Sequence, residues 1–552
     1  MRFAIAWVVG CSGVTGDEGR GIGGEPGPED PTPVCGDGVI DPDEACDDGD
    51  ANADDAACTT ACASATCGDG AVWVGVEGCD DGDANADDAA CTASCSPNTC
   101  GDGTRWDGVE GCDDGNPFGG DGCGPDCAEP SRTTPADADL VLYGLTRGEG
   151  VGQFVVDAGD LTGDGIDDLV VNANDYPNQT GKGKLYVLHG PVAHGTTLAD
   201  ADATIVGDAG IDFLGLVLSS GDLNADGIGD LVVHVAGYDT TPMVYVVFGP
   251  VEGTITPSSI ATRLIGFADA SAVFDVSGDG IDDLILGDTV GPHQAGAVYV
   301  HFGPITGVAD KTDADVTLIG PSWNSLLGWP VVDAGDLDGD GFHDLAVGAP
   351  NDREGGRYAG AVYVLGGPLA PGASPIDDVA AAKILFPQDA FGAVVAGVGD
   401  VNQDGLDDLL VGADFDDTAH LDAGAAYLFH GPVRGWADID TGDAILTGAG
   451  PGMRAGDFVG SGDLNGDGVG DLVVNAPGGT RVHAVFGPVD DAVDLAQADR
   501  TVSADPANVG FGDVAGSVGD VNGDGFDDLG VGMWSNDDGE VDGGVLYVFF
   551  GP

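Results

Sequence analysis

The chain has 552 residues, 16 of them basic and 95 acidic, for a formal charge of −79. A field of that sign excludes nucleic acid and an anionic membrane face as partners and makes the protein receptive to cations. Hydrophobic residues still make up 42% and strand-like runs recur throughout, so the charge does not signal a disordered polymer, and no stretch approaches the roughly 18 consecutive apolar residues of a membrane helix.

Met1-Arg2 followed by the apolar run Phe3 to Val9 reads as a short export signal over residues 1–10. Val8-Val9-Gly10-Cys11 resembles the bacterial lipobox, which implies cleavage before Cys11 and a diacylglycerol on its thiol. An ordinary cleaved signal, or a start codon placed too late, are the alternatives. Residues 11–34 are mostly Gly, Pro, Asp and Glu with almost nothing to bury, the composition of a disordered tether.

Residues 35–127 hold three sets of four cysteines: Cys35, Cys46, Cys58 and Cys62, then Cys67, Cys79, Cys91 and Cys95, then Cys100, Cys112, Cys123 and Cys127. An even count in small exported modules with little core argues for two disulfides per set, with three connectivities open. Zinc is the rival reading, since Cys58 to Cys62 has knuckle spacing, but each set has one close pair and no histidine precedes His189. Each set opens with Cys-Gly-Asp-Gly and carries Cys-Asp-Asp-Gly at its second cysteine, which resembles the cysteine-rich, disintegrin-like repeats of secreted myxobacterial proteins. A stiff, protease-resistant stalk is implied. Acidic insertions such as residues 80–88 read as solvated charge, with further calcium sites as the alternative, and residues 128–136 read as a linker.

From residue 137 to 552 one nine-residue pattern organises the chain, most fully in Asp336-Leu337-Asp338-Gly339-Asp340-Gly341-Phe342-His343-Asp344. Hard divalent cations take several oxygens from one short segment, and this spacing offers side-chain oxygens at positions 1, 3, 5 and 9 and a main-chain carbonyl at 7. The copies place those side chains at Asp160, Thr162, Asp164 and Asp168; at Asp222, Asn224, Asp226 and Asp230; at Asp275, Ser277, Asp279 and Asp283; and at Asp336, Asp338, Asp340 and Asp344. The last three are Asp400, Asn402, Asp404 and Asp408; Asp463, Asn465, Asp467 and Asp471; and Asp520, Asn522, Asp524 and Asp528. Calcium is the expected ion. No glutamate stands at position 12 and β-like residues follow each loop, so each joins two strands and not two helices. Successive copies lie 53 to 64 residues apart, and a period of that size built from short strands predicts an all-β propeller of seven blades.

Blade 4 shows the unit: residues 328–335 enter the loop, Asp344-Leu345-Ala346-Val347 leave it, residues 359–368 return, and Lys383-Ile384-Leu385-Phe386 finish a four-strand meander. With its glycine-led entry and the Gly348-Ala349-Pro350 ending, this resembles the FG-GAP repeat of integrin α-subunit propellers. That resemblance implies bound calcium and a ligand-receiving face opposite the calcium loops. The chain stops just after a third strand at Phe549-Phe550-Gly551-Pro552, while Leu140-Val141-Leu142-Tyr143-Gly144 looks like a fourth strand, so the first strand is expected to complete the last blade. Blade 3, whose loop follows Phe274 in place of the usual glycine, and blade 1, with Thr162 at position 3, are expected to be the weaker sites.

No nucleophile motif, Walker loop or paired metal histidines occur, and all nine histidines are scattered through the propeller. The resulting expectation is a non-enzymatic, monomeric protein on the outer surface of the cell envelope, or secreted. It would touch the membrane only through its lipid and bind an extracellular protein or glycan. A polysaccharide lyase or hydrolase on the same fold, and a purely structural envelope protein, are the alternatives. The 2-to-3 loops carry Tyr176, Tyr238, His293, Arg353, Arg357, Tyr358, Phe415, His420, Arg481, Met533 and Trp534, and a 4-to-1 loop adds Trp323, which makes their face the expected partner face.

Overall fold

The structure is a computed structural model that describes residues 131–551, except 155, 174–182, 208–213, 236–242, 267, 355–359, 387–393, 506–509, 535 and 537–542. The export signal, Cys11, the tether and all three cysteine sets lie outside the described residues.

Third strands explain why the chain folds as blades. In Ala361–Leu365, Ala361, Tyr363 and Leu365 pack in a cluster shared with blade 3, and Val362 and Val364 in one shared with blade 5. A strand's period of two sends alternate side chains to opposite faces, and here both faces are covered, so the run is apolar throughout. The seven hydrophobic clusters of described residues fall one at each junction between neighbouring blades, the blade 7 to blade 1 junction included.

Each blade pairs its strands antiparallel in chain order. Blade 3, for example, runs Ala270–Phe274, Asp283–Asp288, Ala297–His301 and Val316–Ile319, with Ala272 opposite Ile285, Ile285 opposite Val300, and Val300 opposite Val316. In blade 1 the first strand is reduced to a bridge from Val151 to Ala173. First strands of adjacent blades touch, as where the Ser219 and Ser271 hydroxyls meet at 2.8 Å, so these strands form the inner wall. Glycine is required where neighbours approach closely: a Cβ on Gly532 of blade 7 would stand 2.1 Å from the Gly152 carbonyl oxygen of blade 1.

The expected seven-bladed propeller is therefore what forms, and its closure is the expected one: Leu140–Tyr143 pairs with the third strand of blade 7, Leu140 opposite Val548 and Tyr143 opposite Val545. The blades are not plain four-strand meanders, however. In six of them a short fifth strand, lent by the next blade's 3-to-4 connection or by the N-terminus, runs parallel to the outer strand, as Gly435–Asp438 does beside Ala382–Leu385. Ser131–Thr133, inside the stretch expected to be a linker, is one of these and pairs with Arg500 to Val502 of blade 6.

Leu142 is fully buried in the cluster that joins blades 7 and 1. Leu142→Ala is expected to destabilise the propeller by about 2–5 kcal/mol, as much as Leu546→Ala opposite it. Denaturant unfolding followed by intrinsic fluorescence should show one propeller transition at a lowered midpoint; an unchanged midpoint would mean that the clasp does not close the ring.

Candidate metal centres in the blade loops

Every loop folds around its first aspartate. In blade 4, Asp336 accepts the N–H groups of Gly339 at 2.8 Å, Asp340 at 3.0 Å and Gly341 at 2.9 Å, and Asp340 accepts that of Phe342 at 3.0 Å. Gly341 sits at φ +90°, which a side chain would strain. The bond from the position-6 glycine to the first aspartate recurs in the other six loops at 2.7–2.9 Å. Blade 3 closes its loop with the same bonds despite Phe274, Asp275 accepting from Gly278, Asp279 and Gly280.

The carboxylates at positions 1, 3 and 5 converge in blade 4, where Asp336, Asp338 and Asp340 bring one oxygen each within 4.8 Å of the others. Asp338 Oδ1 is buried there without a hydrogen-bond partner, as is Asp463 Oδ1 in blade 6. The Arg434 guanidinium lies 3.4 Å from the other Asp338 oxygen, but it is exposed and neutralises little. Elsewhere the position-3 side chain turns to a loop aspartate: Thr162 to Asp160 at 3.2 Å, Asn224 to Asp230 at 3.3 Å, Ser277 to Asp275 at 3.3 Å, Asn402 to Asp404 at 3.2 Å, Asn465 to Asp467 at 3.1 Å and Asn522 to Asp524 at 2.8 Å. Hard oxygens around an orphaned buried carboxylate oxygen fit a cation such as calcium or magnesium.

The position-9 aspartates do more than the sequence implied. Asp168, Asp230, Asp283, Asp344, Asp408, Asp471 and Asp528 are all buried. One oxygen of each accepts an N–H from the start of the loop, at position 2, or at position 3 (Ser277) in blade 3. The other accepts the N–H of a glycine two residues past the third strand, at 2.8–3.0 Å. A carboxylate oxygen has a second lone pair, so this bracket leaves room for a metal bond. Burial, helped by the neighbouring loop aspartates, pushes these carboxyls up: to about 6 in Asp168, Asp230, Asp283, Asp344 and Asp408, about 7 in Asp528 and about 8 in Asp471.

Position 8, which carries no ligand in the sequence pattern, links one loop to the next. Asp167, Asp282, Asp407 and Asp527 accept the N–H of the first aspartate in the preceding blade, respectively Asp520 at 3.0 Å, Asp222 at 2.7 Å, Asp336 at 2.7 Å and Asp463 at 2.9 Å. Blade 2 has Gly229 there, whose N–H bonds the Asp160 carbonyl at 2.9 Å, and a cavity of about 510 Å³ opens between loops 1 and 2. The repeated Asp-Asp pairs were the signal for this linkage, visible in the sequence but unexplained by ligand spacing.

On the opposite face, Trp323 is 60% exposed, its indole N–H bonds Gln294 at 2.8 Å, and the Arg353 guanidinium lies 5.9 Å from its ring. Phe415 is exposed beneath Arg454, which binds Asp414 and Asp457. His293 and His420 also lie on this face's loops, and Trp534 bonds Asp513 at 3.2 Å. Arg481 and the buried Met533 are strand residues and not loop tips, and Tyr176, Tyr238, Arg357 and Tyr358 lie outside the described residues.

Four stretches, 154–188, 328–365, 391–429 and 455–490, match the FG-GAP repeat. The chain is 35% identical over 172 residues to the phosphatidylinositol-glycan-specific phospholipase D of Rattus norvegicus, covering 27% of this chain and 20% of that one. It is 30% identical over 223 residues to integrin alpha pat-2 of Caenorhabditis briggsae, covering 37% and 18%. The chain thus spans about a fifth of the length of these curated relatives. The WD40 domain of Toxoplasma gondii coronin overlaps 75% of this chain and 84% of its own at TM-score 0.42 and 12% identity; the blade count given above comes from this chain's own strand pairing. The fold and the repeats together define an all-β, seven-bladed propeller. It carries FG-GAP repeats and is similar to integrin α-subunits over part of its length.

A carboxyl whose folded pKa lies above its unfolded value of about 3.9 holds its proton more tightly when folded, so it destabilises the fold as pH rises between the two values. The full chain in chelator is expected to lose stability as pH rises from about 4 to 8, through the raised values of the position-9 aspartates. Thermal melts at stepped pH check this, and a midpoint that rises over that range would contradict it.

Proposed function

We propose that the chain is a calcium-stabilised binding or adhesion protein of the cell surface, displaying an integrin-like propeller on a disulfide stalk behind a lipid anchor at Cys11. The observation that carries the calcium reading is the Asp336, Asp338 and Asp340 cluster with its unpartnered Asp338 oxygen; blade 6 adds an unpartnered Asp463 oxygen, and all seven loops share the oxygen spacing. Side chains at positions 1, 3, 5 and 9 would hold the ion, which when bound supplies the positive charge that the buried position-9 carboxylates lack. Similarity to integrin alpha pat-2 and the exposed Trp323 and Arg353 pair on the opposite face support adhesion, since aromatics and arginines on loops are what binding hot spots are made of. The anchor and stalk rest on the sequence; among the described residues no helix is long and apolar enough to cross a membrane.

The phospholipase D relatives favour a second reading, a hydrolase, but the match covers only 27% of this chain. The nine histidines stand apart: His189 and His430 bond backbone carbonyls, His343 bonds Asp333, and His483, which meets the Thr501 hydroxyl at 3.0 Å, is buried. A phosphodiesterase assay on phosphatidylinositol-glycan substrates separates the two readings.

Calcium at 100 times its dissociation constant should add roughly 2.7 kcal/mol per occupied site, so millimolar calcium is expected to raise the melting midpoint well above that in chelator. Asp340→Ala should forfeit more of that rise than Asp279→Ala, because only blade 4 has four carboxylates at the ligand positions. An identical midpoint in calcium and chelator would sink the metal reading. For the ligand, a glycan and protein array probed with and without calcium should yield a binder whose affinity falls at least tenfold in the Trp323→Ala, Arg353→Ala double variant at unchanged melting. Equal binding by that variant would place the partner elsewhere.

A further inference from the structure

Third strands carry a recurring tyrosine, and in three blades the chain sets one of its own lysine ammonium groups against it. In blade 4, Lys383 is buried, with its Nζ 3.0 Å from Asp352, 2.6 Å from Glu354, 3.4 Å from Asp377 and 4.7 Å from the Tyr363 ring centre, while the Tyr363 hydroxyl donates to Asp352 at 2.6 Å. In blade 3, Lys311 binds Asp288 at 2.5 Å and lies 5.5 Å from the Tyr299 ring centre. In blade 1, Lys184 binds Glu149 at 3.1 Å and meets the Tyr186 hydroxyl at 2.6 Å. These lysines come from a fourth strand, a 3-to-4 turn and a third strand. Three different sequence positions thus bring an ammonium beside a third-strand tyrosine and at least one carboxylate.

Blade 5 has the same surroundings without the lysine. Tyr427 is buried and donates to Asp416 at 2.8 Å. Asp416, Thr418 and Asp440 stand at the repeat positions of Asp352, Glu354 and Asp377, and Ile445, opposite Tyr427 in the sheet, stands where Lys383 stands opposite Tyr363. Trp436, which covers Lys383 at 5.2 Å in blade 4, has no counterpart aromatic here, because the fifth strand of blade 5 is Val493–Asp494. The result is a cavity of about 410 Å³ lined by Asp416, Asp438, Asp440, Tyr427, Thr418 and the apolar edge at Leu385 and Phe386, with no lysine or arginine in its lining among the described residues.

We infer that this cavity on the outer wall of blade 5 is a binding site for a primary alkylammonium supplied from outside the chain: a lysine side chain of a partner protein, or a free amine. Carboxylates and the tyrosine ring would take the charged end, as they do for Lys383, and Leu385 and Phe386 would cover the methylenes. The site is separate from the loop carboxylates and from the Trp323 cluster, so it stands or fails independently of the function proposed above.

The test is calorimetric titration of the full chain, in calcium and physiological salt, with Nα-acetyl-lysine methylamide and with n-butylamine. Binding of at least one is expected; preference for the first points to a partner's lysine and for the second to a free amine. The double variant Asp416→Asn, Asp440→Asn should weaken binding at least tenfold. Ile445→Lys, which returns the ammonium to the chain, should abolish binding and raise the melting midpoint, while Ile445→Met should leave binding within twofold. No heat with either amine at millimolar concentration, or equal affinity in wild type and the Asp416, Asp440 double variant, would overturn the assignment, even if Ile445→Lys failed to fold.

Discussion

At the head of each second strand a buried aspartate accepts two backbone N–H groups, one from the loop before it and one from a glycine just past the third strand. Strands 1, 2 and 3 of a blade are tied at that point, and the loop cannot open without leaving a buried carboxylate unpartnered. Such a bracket raises an electrostatic difficulty, because burial and the other loop aspartates both disfavour the charged form. A protein with 95 acidic and 16 basic residues has few cations of its own to set against seven loops, and Arg434 at blade 4 is exposed. An external divalent ion would resolve the conflict with the ligands already in place, and on the proposed reading the metal is part of the fold.

The brackets also couple to one another. Position-8 aspartates reach back to the preceding loop in four places, fifth strands cross six junctions, and each junction has its own apolar cluster. Ring closure adds the N-terminal strand in blade 7 and a second N-terminal strand on the edge of blade 6. The same stretch that closes the ring also covers an open edge, which suits a fold that must leave none long enough to recruit another chain. On the proposed readings, binding would fall to side chains that this framework presents: loop tips such as Trp323 on one face, and the cavity beside Tyr427.

The loops and the clasp were legible in the sequence because both obey short, strict rules: oxygen ligands at fixed spacing around a glycine, and a fourth-strand pattern stranded at the wrong end of the chain. Fifth strands escaped notice since Gly372–Pro375 and Gly435–Asp438 are largely exposed and show no alternation of apolar and polar residues. The bridging role of Asp167 or Asp407 was hidden by a pattern that asks only which residues bind metal. The ammonium pockets were illegible for another reason: Lys184, Lys311 and Lys383 occupy unrelated places in their repeats and meet only in three dimensions.

On the proposed reading each of the seven loops holds one cation that neutralises its carboxylates. Native mass spectrometry of the full chain titrated with calcium measures this directly. Uptake is expected to level off at seven ions attributable to the propeller, with one fewer in a variant such as Asp336→Ala that removes a first aspartate. A propeller that stays free of calcium at millimolar concentration, or that loses no ion when Asp336 is replaced, would contradict it.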